Sequence, residues 1–118
     1  MKTAVLFLLI STPGSVTAPR PLVDVRAFSP GIALDIRYAT AKNFTGKPVA
    51  GYRAGKCLLH DPAARALAAV ESDLRGRGYG LIIFDCYRPM RAVAEFMVWA
   101  KVPDDPASKA LYYPELDK

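Results

Sequence analysis

The sequence predicts an α+β fold in which two helices pack on a small, mainly antiparallel sheet. Three observations carry that expectation. A helical pattern with start and stop signals runs from Asp61 to Gly78, a short apolar run follows at Leu81-Ile82-Ile83-Phe84, and a wide apolar stripe occupies residues 89–101. The 118 residues suffice for one small domain, and 52% of them are hydrophobic, an ordinary share for a globular chain.

The first eighteen residues read differently from the rest. Lys2 provides a positive start, residues 4–10 form an apolar run, Pro13 and Gly14 break it, and Val16-Thr17-Ala18 places small residues at an exit. That order is the layout of a secretory signal peptide over residues 1–18, with a periplasmic or extracellular mature chain as the consequence. The competing reading is a buried N-terminal strand. The run falls well short of the ~20 residues that span a bilayer, so no stable membrane anchor is expected. The net charge is +5, scattered without a basic block or interleaved aromatics. It points to solubility and an anionic small ligand rather than to nucleic acid. Composition does not set an oligomeric state.

Taken in order, residues 23–25 suggest a short edge strand. Residues 32–38 alternate apolar and polar side chains after Pro30 and Gly31, which predicts a strand. Residues 39–56 contain Asn43, Gly46, Pro48, Gly51 and Gly55 and predict a long loop, of a length usually kept for function. Asp61 is a candidate N-cap with Pro62 in the first helical position. Ala63, Leu67, Val70 and Leu74 then fall on one helical face. Arg75 and Arg77 suit the negative end of the dipole, and Gly76 or Gly78 can end the helix. The run at 81–84 is short and β-rich, so it predicts a buried central strand. A second helix is expected from about Pro89 to Lys101, its stripe made by Ala92, Val93, Phe96, Met97, Trp99 and Ala100. Residues 103–118 contain three prolines and no period, and predict a loop.

Asp85-Cys86-Tyr87-Arg88-Pro89 joins the expected central strand to the second helix. A strand fixes position there, and a helix start presents free N–H groups with a positive dipole end. Arg88 adds a planar fork of donors suited to carboxylates and developing oxyanions. The plain alternative is that Arg88 only bridges to Asp85.

Several blocks carry a resemblance. They are Asp35-Ile36-Arg37-Tyr38-Ala39-Thr40, Asn43-Phe44-Thr45-Gly46-Lys47-Pro48-Val49, Gly51-Tyr52, Asp85-x-Tyr87-Arg88-Pro89-x-Arg91-Ala92-Val93, Phe96-Met97-x-Trp99-Ala100 and Tyr112-Tyr113-Pro114. In order and spacing they resemble the VanX-like D-alanyl-D-alanine dipeptidases, a zinc metallopeptidase family. The resemblance implies a fold shared with other DD-peptidases and the hedgehog signalling domain. It implies hydrolysis of the small dipeptide D-Ala-D-Ala in peptidoglycan precursor turnover. Arg88 would be the catalytic stabiliser of the transition state, binding the oxyanion or the adjacent carboxylate. Tyr38 would line the pocket and hold the substrate's amino end, and Asp85 would orient the Tyr87-Arg88 turn. Asn43, Phe44 and Thr45 match the loop framing the site.

The family's zinc cofactor is held by a Ser-x-His-x-x-Gly-x-Ala-x-Asp motif and a later Glu-x-x-His motif, and neither occurs here. The single histidine, His60, precedes the expected helix cap, where a surface or capping role fits better than metal binding. No metal ligand is therefore expected in this chain. Residues 19–118 are expected to form the N-terminal portion of one dipeptidase domain, incomplete in its fold and inactive alone. The alternatives are a remnant that binds D-Ala-D-Ala or peptidoglycan peptide ends without cleaving them, and a product with no stable fold.

Cys57 precedes the first helix and Cys86 follows the central strand. If that helix and strand run antiparallel, both cysteines lie at one end of the unit and a disulfide is geometrically reasonable. Such a bond fits an oxidising compartment and would stabilise by ~3 kcal/mol. Two free buried thiols are the other possibility.

Overall fold

The computed structural model describes residues 19–118, so the expected leader lies outside the described residues. Strand β1, Leu22–Asp24, leads into a 3₁₀ turn at Val25–Ala27, then β2 at Ala33–Leu34 and a second 3₁₀ turn at Arg37–Ala39. A long loop reaches β3, Leu58–His60, followed by α1, Asp61–Gly76, β4, Ile82–Ile83, α2, Met90–Trp99, and α3, Pro106–Tyr112. The mixed α+β character is as the sequence predicts, but the sheet is not mainly antiparallel. β1 pairs antiparallel with β3, Leu22 opposite His60, whereas β2 pairs parallel with β4, Ala33 opposite Ile82.

The β2 strand is much shorter than residues 32–38. Its path still follows the neighbouring chain, because Asp35 N–H donates to Ile83 O at 2.9 Å and Arg37 N–H to Phe84 O at 3.1 Å. The backbone then turns into the 3₁₀ segment at Arg37–Ala39. Likewise β4 is not buried on both faces. Leu81 and Ile83 pack on the core, while Ile82 is 59% exposed and Phe84 also faces out. A continuous apolar run therefore supplies one covered face and one open face.

Helix α1 starts one residue earlier than predicted. His60, extended at φ −63° and ψ 144°, is the N-cap and makes no side-chain cap bond. Asp61 sits inside the first turn, where the dipole favours a carboxylate, and accepts from Arg65 Nε at 2.8 Å. The buried face is also displaced by one position. Ala64 and Glu71 are buried, whereas Ala63 is exposed and Val70 is 50% exposed. Glu71 explains the shift. Its carboxylate accepts the Leu81 N–H at 2.7 Å and Arg75 Nε at 2.8 Å, so an acidic residue occupies the inner face because partners await it there. Arg75 also donates to Gly31 O at 2.7 Å.

The helix ends in a Schellman arrangement. Gly78 has φ +82°, its N–H donates to Arg75 O at 3.1 Å, and Tyr79 N–H donates to Leu74 O at 2.9 Å. Only a residue without Cβ adopts that left-handed conformation cheaply. The chain thereby reverses directly into the strand that Glu71 holds.

Helix α2 follows Pro89, with Ala92 buried and Glu95, Phe96 and Trp99 half-buried. Val93, Met97 and Ala100, the rest of the predicted stripe, are exposed. Residues 103–118 are not all loop. Asp105 Oδ2 accepts the Ser108 N–H at 2.8 Å and caps α3, with Pro106 in its first turn. The described residues thus contain three α-helices rather than two. None of these helices is long and apolar enough to cross a membrane.

The core is small. Val25, Ile32, Ile36 and Cys57 are buried at its centre, with Leu34, Leu59, Leu67, Leu81, Ile83 and Cys86 packed around them. Cys57 and Cys86 are joined by a disulfide with Cα atoms 5.2 Å apart, so they are not two free thiols.

Two outcomes are expected. Replacing both cysteines by serine, with a sequence separation of 29 residues, removes ~3.5 kcal/mol in denaturant unfolding, from loop-closure entropy. Glu71→Ala lowers Tm at pH 7. Arg75 and the Leu81 amide hold the Glu71 carboxyl below its ordinary value of 4.5, so its contribution is complete above that pH. It is lost as pH falls through the depressed native value, so the Tm gap to wild type narrows under acid.

Candidate functional site

The turn between β4 and α2 is organised by one carboxylate. Asp85 Oδ2 accepts from Arg88 Nη2 at 2.7 Å and from Arg88 Nε at 3.3 Å. Oδ1 accepts from the Tyr52 hydroxyl at 2.8 Å and from the Cys86 N–H at 3.0 Å. Next in the turn, Tyr87 N–H donates to Leu58 O at 3.0 Å, and the disulfide ties Cys86 to the residue before β3. Arg88 therefore projects from a turn anchored on both sides.

Arg88 lies over two aromatic rings, 5.3 Å from the Tyr38 centroid and 5.4 Å from that of Phe96. The ion pair with Asp85 is the largest influence on its guanidinium and raises its pKa further, so it is a permanent cation. Burial first, then the bond to Asp85, pushes the Tyr52 hydroxyl well above the phenol range. Tyr52 is thus a donor at any working pH.

The 3₁₀ turn at Arg37–Ala39 and the long loop after it bring Tyr38 and Tyr52 to this turn. The loop's pivot is buried Asn43. The Asn43 amide nitrogen donates to Thr40 O at 2.7 Å, Lys47 O at 2.9 Å and Arg37 O at 3.3 Å. Its carbonyl accepts from Thr45 N–H at 2.9 Å and from the Thr45 hydroxyl at 2.7 Å. Asn43 and Thr45 are therefore scaffolding. Phe44 joins an aromatic cluster instead, 4.6 Å from Trp99 and 5.0 Å from Phe96, and Phe96 lies 5.1 Å from Tyr38.

Two further contacts close the loop down. Glu95 on α2 accepts the Ala50 N–H at 2.6 Å and pairs with Lys47 at 2.9 Å; the Ala50 amide, then Lys47, lowers the pKa of its carboxyl. Gly51 has φ +93°, and a Cβ there would meet Pro89 Cβ at 2.7 Å. Glycine lets the loop lie directly on the site turn, and Tyr52 enters beside it.

Of the residues singled out in the sequence, Tyr38, Asp85 and Arg88 come together. Tyr87 is exposed and lines an adjoining cleft of about 250 Å³ with Arg53, Lys56 and Tyr52, the last shared with the site. A larger cleft of about 370 Å³ lies at Phe44, Trp99 and Tyr113, away from Arg88. Tyr52 and Glu95 were not singled out. Their partners are 33 and 45 residues distant, and only the Gly51-Tyr52 block drew attention to that position.

The described residues do not fit a zinc ion. His60 is exposed on the cap of α1, both cysteines are consumed by the disulfide, and no three His, Cys, Asp or Glu side chains converge among the described residues. What the arrangement offers is a fixed cation on an aromatic floor, suited to a carboxylate or an oxyanion.

The structure thus places Arg88 at a strand-to-helix turn, over the rings of Tyr38 and Phe96. The family model for Peptidase M15, D-ala-D-ala dipeptidase, matches residues 19–118, and the chain belongs to this family. It is 42% identical over 88 residues to a D-alanyl-D-alanine dipeptidase of Enterococcus faecium, covering 75% of this chain and 44% of that relative. The Streptomyces coelicolor D-alanyl-D-alanine dipeptidase is 41% identical over 88 residues, with the same coverage. That of Escherichia coli K12 is 41% identical over 83 residues, 70% of this chain and 41% of the relative. The chain thus spans less than half the length of the curated relatives it matches.

Asn43→Ala is expected to destabilise the chain by ~2–3 kcal/mol, because several backbone groups lose a partner inside the loop. Hydrogen exchange should rise most across residues 39–56. Protection there equal to wild type would show that Asn43 does not hold the loop.

Proposed function

We propose that residues 19–118 supply the substrate-binding and charge-stabilising part of an exported zinc D-Ala-D-Ala dipeptidase. The observation that carries this reading is Arg88, paired with Asp85 and seated over Tyr38 and Phe96. In this reading Arg88 receives the dipeptide's carboxylate in the ground state and shares charge developing on the adjacent oxygen. Tyr38 borders the substrate's amino end. Its ring also shields one side of the guanidinium from water, which strengthens the ion pair with the ligand.

The residues that would hold zinc and activate water are not among those described, so no step through the metal is assigned to these side chains. The chain as given then binds the dipeptide without cleaving it, and hydrolysis requires metal ligands from elsewhere. The disulfide supports export, since such bonds persist in oxidising compartments. The partner is a small dipeptide; neither nucleic acid nor a membrane anchor enters the reading. A non-catalytic binding role for D-Ala-D-Ala or peptidoglycan peptide ends uses the same residues and is the second reading.

The test pairs calorimetry with an alanine-release assay on the 118-residue chain. Millimolar D-Ala-D-Ala should give measurable heat, and Arg88→Ala should weaken binding at least tenfold, about the worth of a charge-assisted hydrogen bond. Added zinc should produce no free alanine. Alanine release by this chain would overturn the assignment of metal ligation to residues outside it. Absence of heat from a folded sample would overturn the binding role.

A further inference from the structure

The Asp85–Arg88 pair does not hold itself in place. The Arg88 side chain is 45% exposed and that of Asp85 is 23% exposed. Pairs in such surroundings contribute little on their own, because water and salt compete for both partners. A carboxylate also turns freely about its last torsion unless both oxygens are committed. Both oxygens of Asp85 are committed here, one to Arg88 and the other to Tyr52 and the Cys86 amide.

We propose that Tyr52 is a positioning residue for Arg88: its hydroxyl occupies Oδ1 of Asp85, so that Oδ2 is left facing the guanidinium in one orientation. This inference rests on the reading of Arg88 as the ligand-binding cation. Three features of the chain place Tyr52 for this task. Gly51, at φ +93° and in close approach to Pro89, turns the loop onto the site. The Tyr52 ring packs 5.4 Å from Tyr38, the same ring that carries Arg88. The hydroxyl stays protonated, because burial and the neighbouring carboxylate both resist its ionisation. Tyr52 thereby links the loop that frames the ligand to the charge that receives it. A loop displaced from the turn releases Asp85, and Arg88 then samples solvent.

Tyr52→Phe in the 118-residue chain tests this, with three readouts. D-Ala-D-Ala affinity by calorimetry should fall about five- to tenfold, the worth of one hydrogen bond. By NMR, exchange of the Arg88 Nε–H with water should accelerate in the ligand-free variant, while the backbone amide spectrum outside residues 50–53 and 85–88 stays that of wild type. In the wild-type chain, the Tyr52 ring carbon bearing the hydroxyl should show no titration near pH 10.0, the ordinary phenol value. Unchanged affinity together with unchanged Arg88 Nε–H exchange overturns the inference. If the variant does not fold, the wild-type titration decides: ionisation of Tyr52 in the ordinary phenol range overturns it. If wild type binds no dipeptide, the proposed function fails, while the exchange and titration readouts still judge Tyr52.

Discussion

The bond between Cys57 and Cys86 is where the small core and the candidate site meet. Cys57 lies at the buried centre with Val25, Ile32 and Ile36, and Cys86 is the residue between Asp85 and Tyr87. Among the described residues few side chains are fully buried, and a core of this size gives little margin by itself. The covalent tie restricts the unfolded chain and pins the site turn to the start of β3. The adjoining Tyr87 N–H to Leu58 O bond continues that junction. The backbone position of Arg88 is therefore inherited from the core, while its side chain is oriented by Asp85.

Beyond the disulfide, three carboxylates hold distant segments together in the same manner. Glu71 receives the Leu81 amide, Glu95 the Ala50 amide, and Asp85 the Tyr52 hydroxyl. Each also pairs with a cation, Arg75, Lys47 or Arg88. A carboxylate has two oxygens, so it can accept a neutral donor from one segment and a charged donor from another. In a chain with little regular sheet, these contacts do the work that strand ladders do elsewhere. They set the reversal after α1, the seat of the long loop on α2, and the orientation of Arg88.

Some of this was legible in the sequence for physical reasons. The helix at 61–76 and the one beginning after Pro89 rest on local signals, proline in or before the first turn of each and, for the first, glycine after its last turn. The site turn was legible because Asp85 and Arg88 stand between an apolar run and a helix start. The resemblance blocks drew attention to Tyr38 and the loop. Where reading failed, a partner remote in sequence was responsible. Glu71 turned the inner face of α1 by one position, because apolar periodicity cannot foresee a buried acid with a donor waiting ten residues on. The 81–84 run has one open face because the core packs on Leu81 and Ile83 only, and among the described residues nothing covers Ile82 on the other side. The helix at Pro106–Tyr112 was missed although Asp105-Pro106 repeats the Asp-Pro pair seen at 61–62; seven residues are too few for a period to show.

By itself the sequence determined the mixed α+β class, the family, and the place of Arg88 at a strand-to-helix turn, since each depends on residues adjacent in the chain or on blocks kept in order. Only the tertiary structure decided the parallel pairing of β2 with β4, the closing of the disulfide, and the meeting of Tyr52 and Arg88 on the Asp85 carboxylate. Those depend on which segments meet in space. A tyrosine and an aspartate 33 residues apart acquire a shared role only when a left-handed glycine folds one against the other.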